Sequence, residues 1–139
     1  MRFHLLSDIH ADYSFVTGAA YDILAGLAAD AILFAGDIAG RLSRRGLCWR
    51  LRRRDRTGLP LVICAGNHDY WRSSLDTEIW RFRDRLGAEE GINLFDGDDL
   101  ILGGCRILGG TLWTDYEIYS DAYTAHAEGM RYMTDMRMI

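Results

Sequence analysis

Leu61-Val62-Ile63-Cys64-Ala65-Gly66-Asn67-His68-Asp69 joins an apolar run to a glycine and then to three polar side chains. A short apolar run introduced by Pro60 reads as a buried strand. Two stretches upstream repeat the arrangement. Residues 3–6 lead into Ser7-Asp8-Ile9-His10, and residues 31–35 lead into Gly36-Asp37-Ile38-Ala39-Gly40. Three strands followed by polar loops put those loops at the carboxyl edge of one parallel sheet, where open α/β sheets bind ligands. Together the loops offer the carboxylates of Asp8 and Asp37, the imidazoles of His10 and His68 and the amide of Asn67. That donor set suits hard to borderline divalent metals.

The intervening sequence supplies helices. Val16, Ala19, Ala20, Ile23, Leu24 and Leu27 recur at helical spacing and predict a helix over residues 15–29. A second helix is expected over 44–56, with Leu47 and Leu51 facing inward. A third is expected over 75–86, with Ile79, Phe82 and Leu86 as its apolar stripe. The pattern then changes to short strands at 92–95, 100–102 and 106–108, separated by Asp96-Gly97-Asp98 and Gly103-Gly104 turns. A last helix is expected over 120–133. Alternating strands and helices define an α/β fold with parallel βαβ units, and such a sheet needs cover on both faces.

The 139 residues fit one domain spanning 1–139. A chain of this size buries about 68–70% of its unfolded surface, enough for a real core. The formal net charge of −4 argues against a dedicated nucleic-acid binder. All basic residues are arginine. Five of them, Arg50, Arg52, Arg53, Arg54 and Arg56, cluster behind Arg44 and Arg45. Attraction of phosphate or nucleic acid is one reading of that cluster. The preferred reading is a solvated helix face, since Trp49 is its only aromatic companion. Cys48, Cys64 and Cys105 are odd in number and form no C-x-x-C pair. With no signal-peptide pattern at the start, a reduced, cytoplasmic setting is expected. No apolar run approaches the ~20 residues that cross a bilayer, so no membrane association is expected.

The chemistry follows from the spacing. Asp8 and His10 are two apart on extended chain, so both side chains reach one ion. Asp37 lies in a Gly-Asp turn whose backbone can approach closely, and its carboxylate can bridge two ions. Asn67 can ligate through its amide oxygen without adding charge. His68, its neighbour, is left to face a substrate.

In this order, D-x-H, G-D and G-N-H-D resemble the calcineurin-like metallophosphoesterase superfamily. Gly109-Gly110-Thr111-Leu112-Trp113-Thr114-Asp115-Tyr116 is similar to the G-x-T-L-W-T-D-F stretch of one bacterial subgroup. Met133-Thr134-Asp135-Met136-Arg137 loosely resembles its later M-N-D-Y-R. The resemblance implies an α/β/β/α sandwich and metal-dependent hydrolysis of a phosphate mono- or diester, with two divalent ions (Mn, Fe or Zn). It makes Asp8, His10 and Asp37 ligands of the first ion, with Asp37 bridging to a second ion that Asn67 also holds. His68 would contact the phosphate or protonate the leaving oxygen, and Asp69 would orient it.

The family's T-H-H and G-H-x-H motifs are absent from these residues. His4 reads as a packed strand residue and His126 as a surface one. The chain is therefore expected to be the N-terminal part of the family's domain, truncated at its C-terminus. Its metal binding should be weak, its turnover low, and its uncovered apolar surface prone to self-association or to pairing with a complementing C-terminal half. A second reading, from a different class, is a catalytically inactive remnant or binding module that keeps the fold.

Overall fold

A computed structural model describes residues 1–12, 28–46, 57–86, 91–118 and 120–139. Most of the helix expected over 15–29 and of that expected over 44–56, Cys48 and the cluster at residues 50–56 lie outside the described residues; residues 28–29, at the end of the first, are not helical.

Four strands form one parallel sheet in the order β1-β2-β3-β4: β1 (Phe3–Leu6), β2 (Ala31–Ala35), β3 (Leu61–Cys64) and β4 (Ile92–Phe95). The α/β class read from the sequence is the one observed. Alternation along each strand sorts the side chains into two faces. Register aligns His4 with Ile32 and Leu6 with Phe34, then Ile32 with Leu61 and Phe34 with Ile63. These residues share the face that carries the core, where Ile32, Phe34, Leu61 and Ile63 are buried.

The helix α1 (Leu75–Leu86) packs into that core through Ile79 and Phe82, two residues of the expected stripe. Its first turn holds Asp76 and Glu78 and its last turn Arg83 and Arg85, which complements the helix dipole. A single wide helical turn, Arg41–Gly46, follows the β2 loop. Helical structure thus begins at Arg41 rather than at Arg44. Ile38, Ala39 and Leu42 are all fully buried, so the chain turns onto the core as soon as it leaves the sheet.

After β4 comes an antiparallel hairpin of β5 (Asp99–Leu102) and β6 (Cys105–Leu108), closed by Gly103-Gly104. It is a separate two-stranded sheet. Helix α2 (Ala122–Tyr132) is capped by Asp121, whose side chain accepts from the Thr124 N–H at 3.1 Å. The short helix α3 (Asp135–Met138) brings Ile139 against the core and returns to the β3 loop, where Met138 O accepts from the Arg72 N–H. Among the described residues no helix is long and apolar enough to cross a membrane.

Candidate metal centre

The loops after β1 and β2 continue side by side beyond the sheet. Asp8 N–H donates to Gly36 O (3.1 Å), His10 N–H to Asp37 O (3.0 Å) and Ala11 N–H to Ile38 O (2.7 Å). This ladder puts three polar side chains at one spot. One ligand atom each from Asp8, His10 and Asp37 lies within 4.8 Å of the others. All three residues have positive φ: 53° at Asp8, 43° at His10 and 54° at Asp37. Non-glycine residues rarely adopt this region, each at a cost on the order of 1–3 kcal/mol, and they persist where the surroundings over-determine them. Here the bonds between the loops do so. Two carboxylates and an imidazole this close make a donor set that suits a divalent cation.

The β3 loop closes in from the other side. A Cβ on Gly66 would stand 2.6 Å from Asp37 N and collide with the Asp37 carboxylate, and one on Gly36 would stand 2.8 Å from Gly66 Cα. Only glycine permits this approach. The His68 N–H then donates to Asp37 Oδ1 at 2.9 Å, which fixes that carboxylate. Asp69 is fully buried, and its carboxylate accepts from the backbone N–H groups of Ile38 (3.0 Å), Ala39 (3.0 Å) and Gly66 (2.9 Å). It ties the β2 and β3 loops together.

Asn67 lines the same cavity as His10, Asp37, His68 and Trp71. Its Nδ2 donates to Asp135 Oδ1 at 2.9 Å, so the atom it offers an ion is Oδ1. The Trp71 indole donates to the same Asp135 oxygen at 2.6 Å. The segment that loosely resembled M-N-D-Y-R therefore docks directly on the site. The G-G-T-L-W stretch is anchored too: Thr111 Oγ1 donates to Ala65 O at 2.6 Å and lies 3.0 Å from the Tyr70 hydroxyl. Burial pushes the Tyr70 hydroxyl and the Cys64 thiol above their ordinary pKa values.

His68 is almost wholly buried, with its Nε2 3.2 Å from Asp12 Oδ2. Its ring stands edge-on to His10 at 4.6 Å and against Trp71 at 4.0 Å. Burial works to raise the Asp12 carboxyl, but hydrogen bonds from His68 and the backbone outweigh it and hold the carboxyl below the usual range. Asp12, His10 and His68 form a second group with ligand atoms within 4.8 Å, and His10 belongs to both groups. Sequence reasoning missed Asp12, because it took residues 8–10 as extended chain, whereas Asp8 and His10 both have positive φ and the loop bends there. It also assigned no role to Trp71 or Asp135. His126 is exposed, its ring against Tyr116, and His4 sits in β1.

The model of the calcineurin-like phosphoesterase family matches residues 1–135. The chain belongs to that family, whose members are metal-dependent phosphoesterases. Among solved structures, it is similar to the phosphopantetheinyl hydrolase of Mycobacterium tuberculosis, with a TM-score of 0.64 and 16% identity over 99% of this chain. At that identity the likeness concerns the fold. The chain spans 54% of that protein's length. No curated protein matches the sequence.

Proposed function

We propose that the protein is a metal-dependent phosphoesterase acting on a phosphate mono- or diester. In this reading Asp8, His10, Asp37 and Asn67 are its metal ligands. The observation that carries it is the convergence of Asp8, His10 and Asp37 within 4.8 Å. The donor chemistry fits: two carboxylates and an imidazole on strained, mutually bonded loops, with an amide oxygen beside them. Divalent ions such as Mn, Fe or Zn at this centre activate water and neutralise phosphoryl charge.

The chain's own residues do the rest. Asp37, whose Oδ1 accepts from the His68 N–H, would be the ligand shared between two ions. In this reading His68 contacts the phosphate or protonates the leaving oxygen, and Asp12, with its Oδ2 3.2 Å from His68 Nε2, holds the ring in place. Asp135 holds Asn67 in place and is itself held by the Trp71 indole. The shared position of His10 favours one further reading, in which Asp12 and His68 ligate the second ion.

The test is hydrolysis of p-nitrophenyl phosphate and its bis ester with added Mn²⁺. Slow turnover abolished by EDTA and by Asp37→Ala is expected. Metal binding without hydrolysis of any ester would mark a binding module instead, and absence of metal binding would contradict both.

A further inference from the structure

We propose that Asp135 is a positioning residue of the metal centre: its Oδ1 decides which end of the Asn67 amide meets an ion, and so couples the docking of α3 to metal binding. This rests on the phosphoesterase reading above, in which Asn67 is a ligand. Asp135 opens α3 and stands 68 residues from Asn67 in the chain. It belongs to neither group of candidate metal ligands.

Asn67 needs such a partner. The residue is exposed, so burial does not select its rotamer. A side-chain amide has an acceptor oxygen at one end and two N–H donors at the other, and only the oxygen ligates a cation. Turned the wrong way, the amide points its N–H groups at the ion. The Asp135 carboxylate settles the choice, because it accepts hydrogen bonds and donates none. It accepts from Asn67 Nδ2 at 2.9 Å, which leaves Oδ1 for the cavity that Asn67 lines with His10 and Asp37.

The same oxygen is fixed from the protein side. The Trp71 indole N–H donates to it at 2.6 Å, and that ring packs against the ring of buried His68 at 4.0 Å. Two donors thus converge on one acceptor, and one of them stands on a residue of the site itself. Two more contacts hold α3 in place. Met138 O accepts from the Arg72 N–H, and Ile139 packs against the core. Arg72 follows Trp71 and has a positive φ of 61°, so α3 ties down the bent backbone that carries the indole. Groups that orient a metal ligand without touching the ion are worth about 10–100-fold in metal affinity.

The experiment is Mn²⁺ titration calorimetry on the full chain, with substitutions that separate the acceptor from bulk and from charge. Asp135→Leu keeps the bulk and removes the acceptor, and should weaken Mn²⁺ binding about tenfold. Asp135→Ala deletes the same acceptor in a residue any helix accepts, and should give the same loss. Asp135→Asn keeps an acceptor oxygen without the charge, and should bind within about threefold of the parent. In an Asn67→Ala background, Asp135→Leu should cost nothing further, because it acts through the amide. Arg137→Gln, at an exposed position of the same helix, should leave binding unchanged. Unchanged binding in Asp135→Leu and Asp135→Ala would make the contact incidental and overturn the proposal. Equal losses in Asp135→Asn and Asp135→Leu would make charge the cause and overturn it too. So would a further loss in the Asn67→Ala background, or a tenfold loss in Arg137→Gln. A parent that binds no Mn²⁺ would sink the phosphoesterase reading and this proposal together, whereas equal binding by the parent and Asp135→Leu would sink the proposal alone.

Discussion

Gly66 and Asp37 are packed so closely that a Cβ on Gly66 would reach within 2.6 Å of the Asp37 backbone nitrogen. The candidate bridging carboxylate is thus set by an atom the β3 loop lacks. Gly66→Ala should push Asp37 out of line and weaken Mn²⁺ binding by at least about tenfold, with a stability loss of about 1–3 kcal/mol from overpacking. Calorimetry with Mn²⁺ and a denaturant melt read the two effects separately. A Gly66→Ala protein that binds as tightly as the parent would show that the loop approach is incidental.

The core beneath the site rests on Phe82, which is fully buried against the sheet. Phe82→Ala should destabilise the fold by about 3–5 kcal/mol, the sum of lost transfer energy and a cavity. Urea denaturation followed by circular dichroism measures it. A loss below about 1 kcal/mol would mean the site collapses freely and the packing account is wrong.

The cap of α2 carries a pH signature. The Thr124 backbone N–H holds the Asp121 carboxyl below its ordinary pKa. The native state therefore favours the charged form. The resulting stability is present above the usual aspartate range, near ~3.9, and fades as pH falls through the lower native value. Asp121→Asn keeps a cap but not the charge. The parent's melting temperature should exceed that of the variant at pH 6, and the gap should close at pH 3. A gap independent of pH would refute the assignment. The group is fully exposed, so the gap is small.

Leu5 on β1, the hairpin and the loop after it leave apolar side chains in water, although Val62 and Phe95 on the same face of the sheet as Leu5 are buried. Leu5 is 70% exposed, Ile101 72%, Leu108 70% and Leu112 95%. Among the described residues β1 and β4 are also the edge strands of their sheet. Contiguous exposed apolar surface and open edges promote association. Light scattering after size exclusion should find oligomers of these 139 residues. A monomer with no dye-binding surface would show that they close their own core.

Much of this was legible in the sequence, for identifiable reasons. The run behind Asn67 is bounded by Pro60 and Gly66, and that behind Asp37 is followed by Gly36. The one behind Asp8 is a short, mostly apolar stretch with His4 inside it. The strands and the common edge of their loops followed from that shared pattern. The stripe Ile79 and Phe82 was likewise plain. The partnership of His68 with Asp12 was not, because it depends on how the β1 loop bends at His10, a residue in a backbone region that non-glycine residues seldom adopt. Asp135 was illegible for another cause. It meets Asn67 across 68 residues of sequence, and no local periodicity encodes such a contact. The early start of the helical turn at Arg41 reflects burial of Leu42, a tertiary demand that outweighs local preference.

The central claim is that Asp8, His10 and Asp37 hold a divalent ion, and Mn²⁺ titration of the parent and Asp37→Ala proteins tests it most directly. The account predicts measurable binding to the parent and a loss of at least about tenfold in Asp37→Ala, with thermal unfolding of the metal-free variant little changed. Equal Mn²⁺ affinity in the two proteins would contradict it.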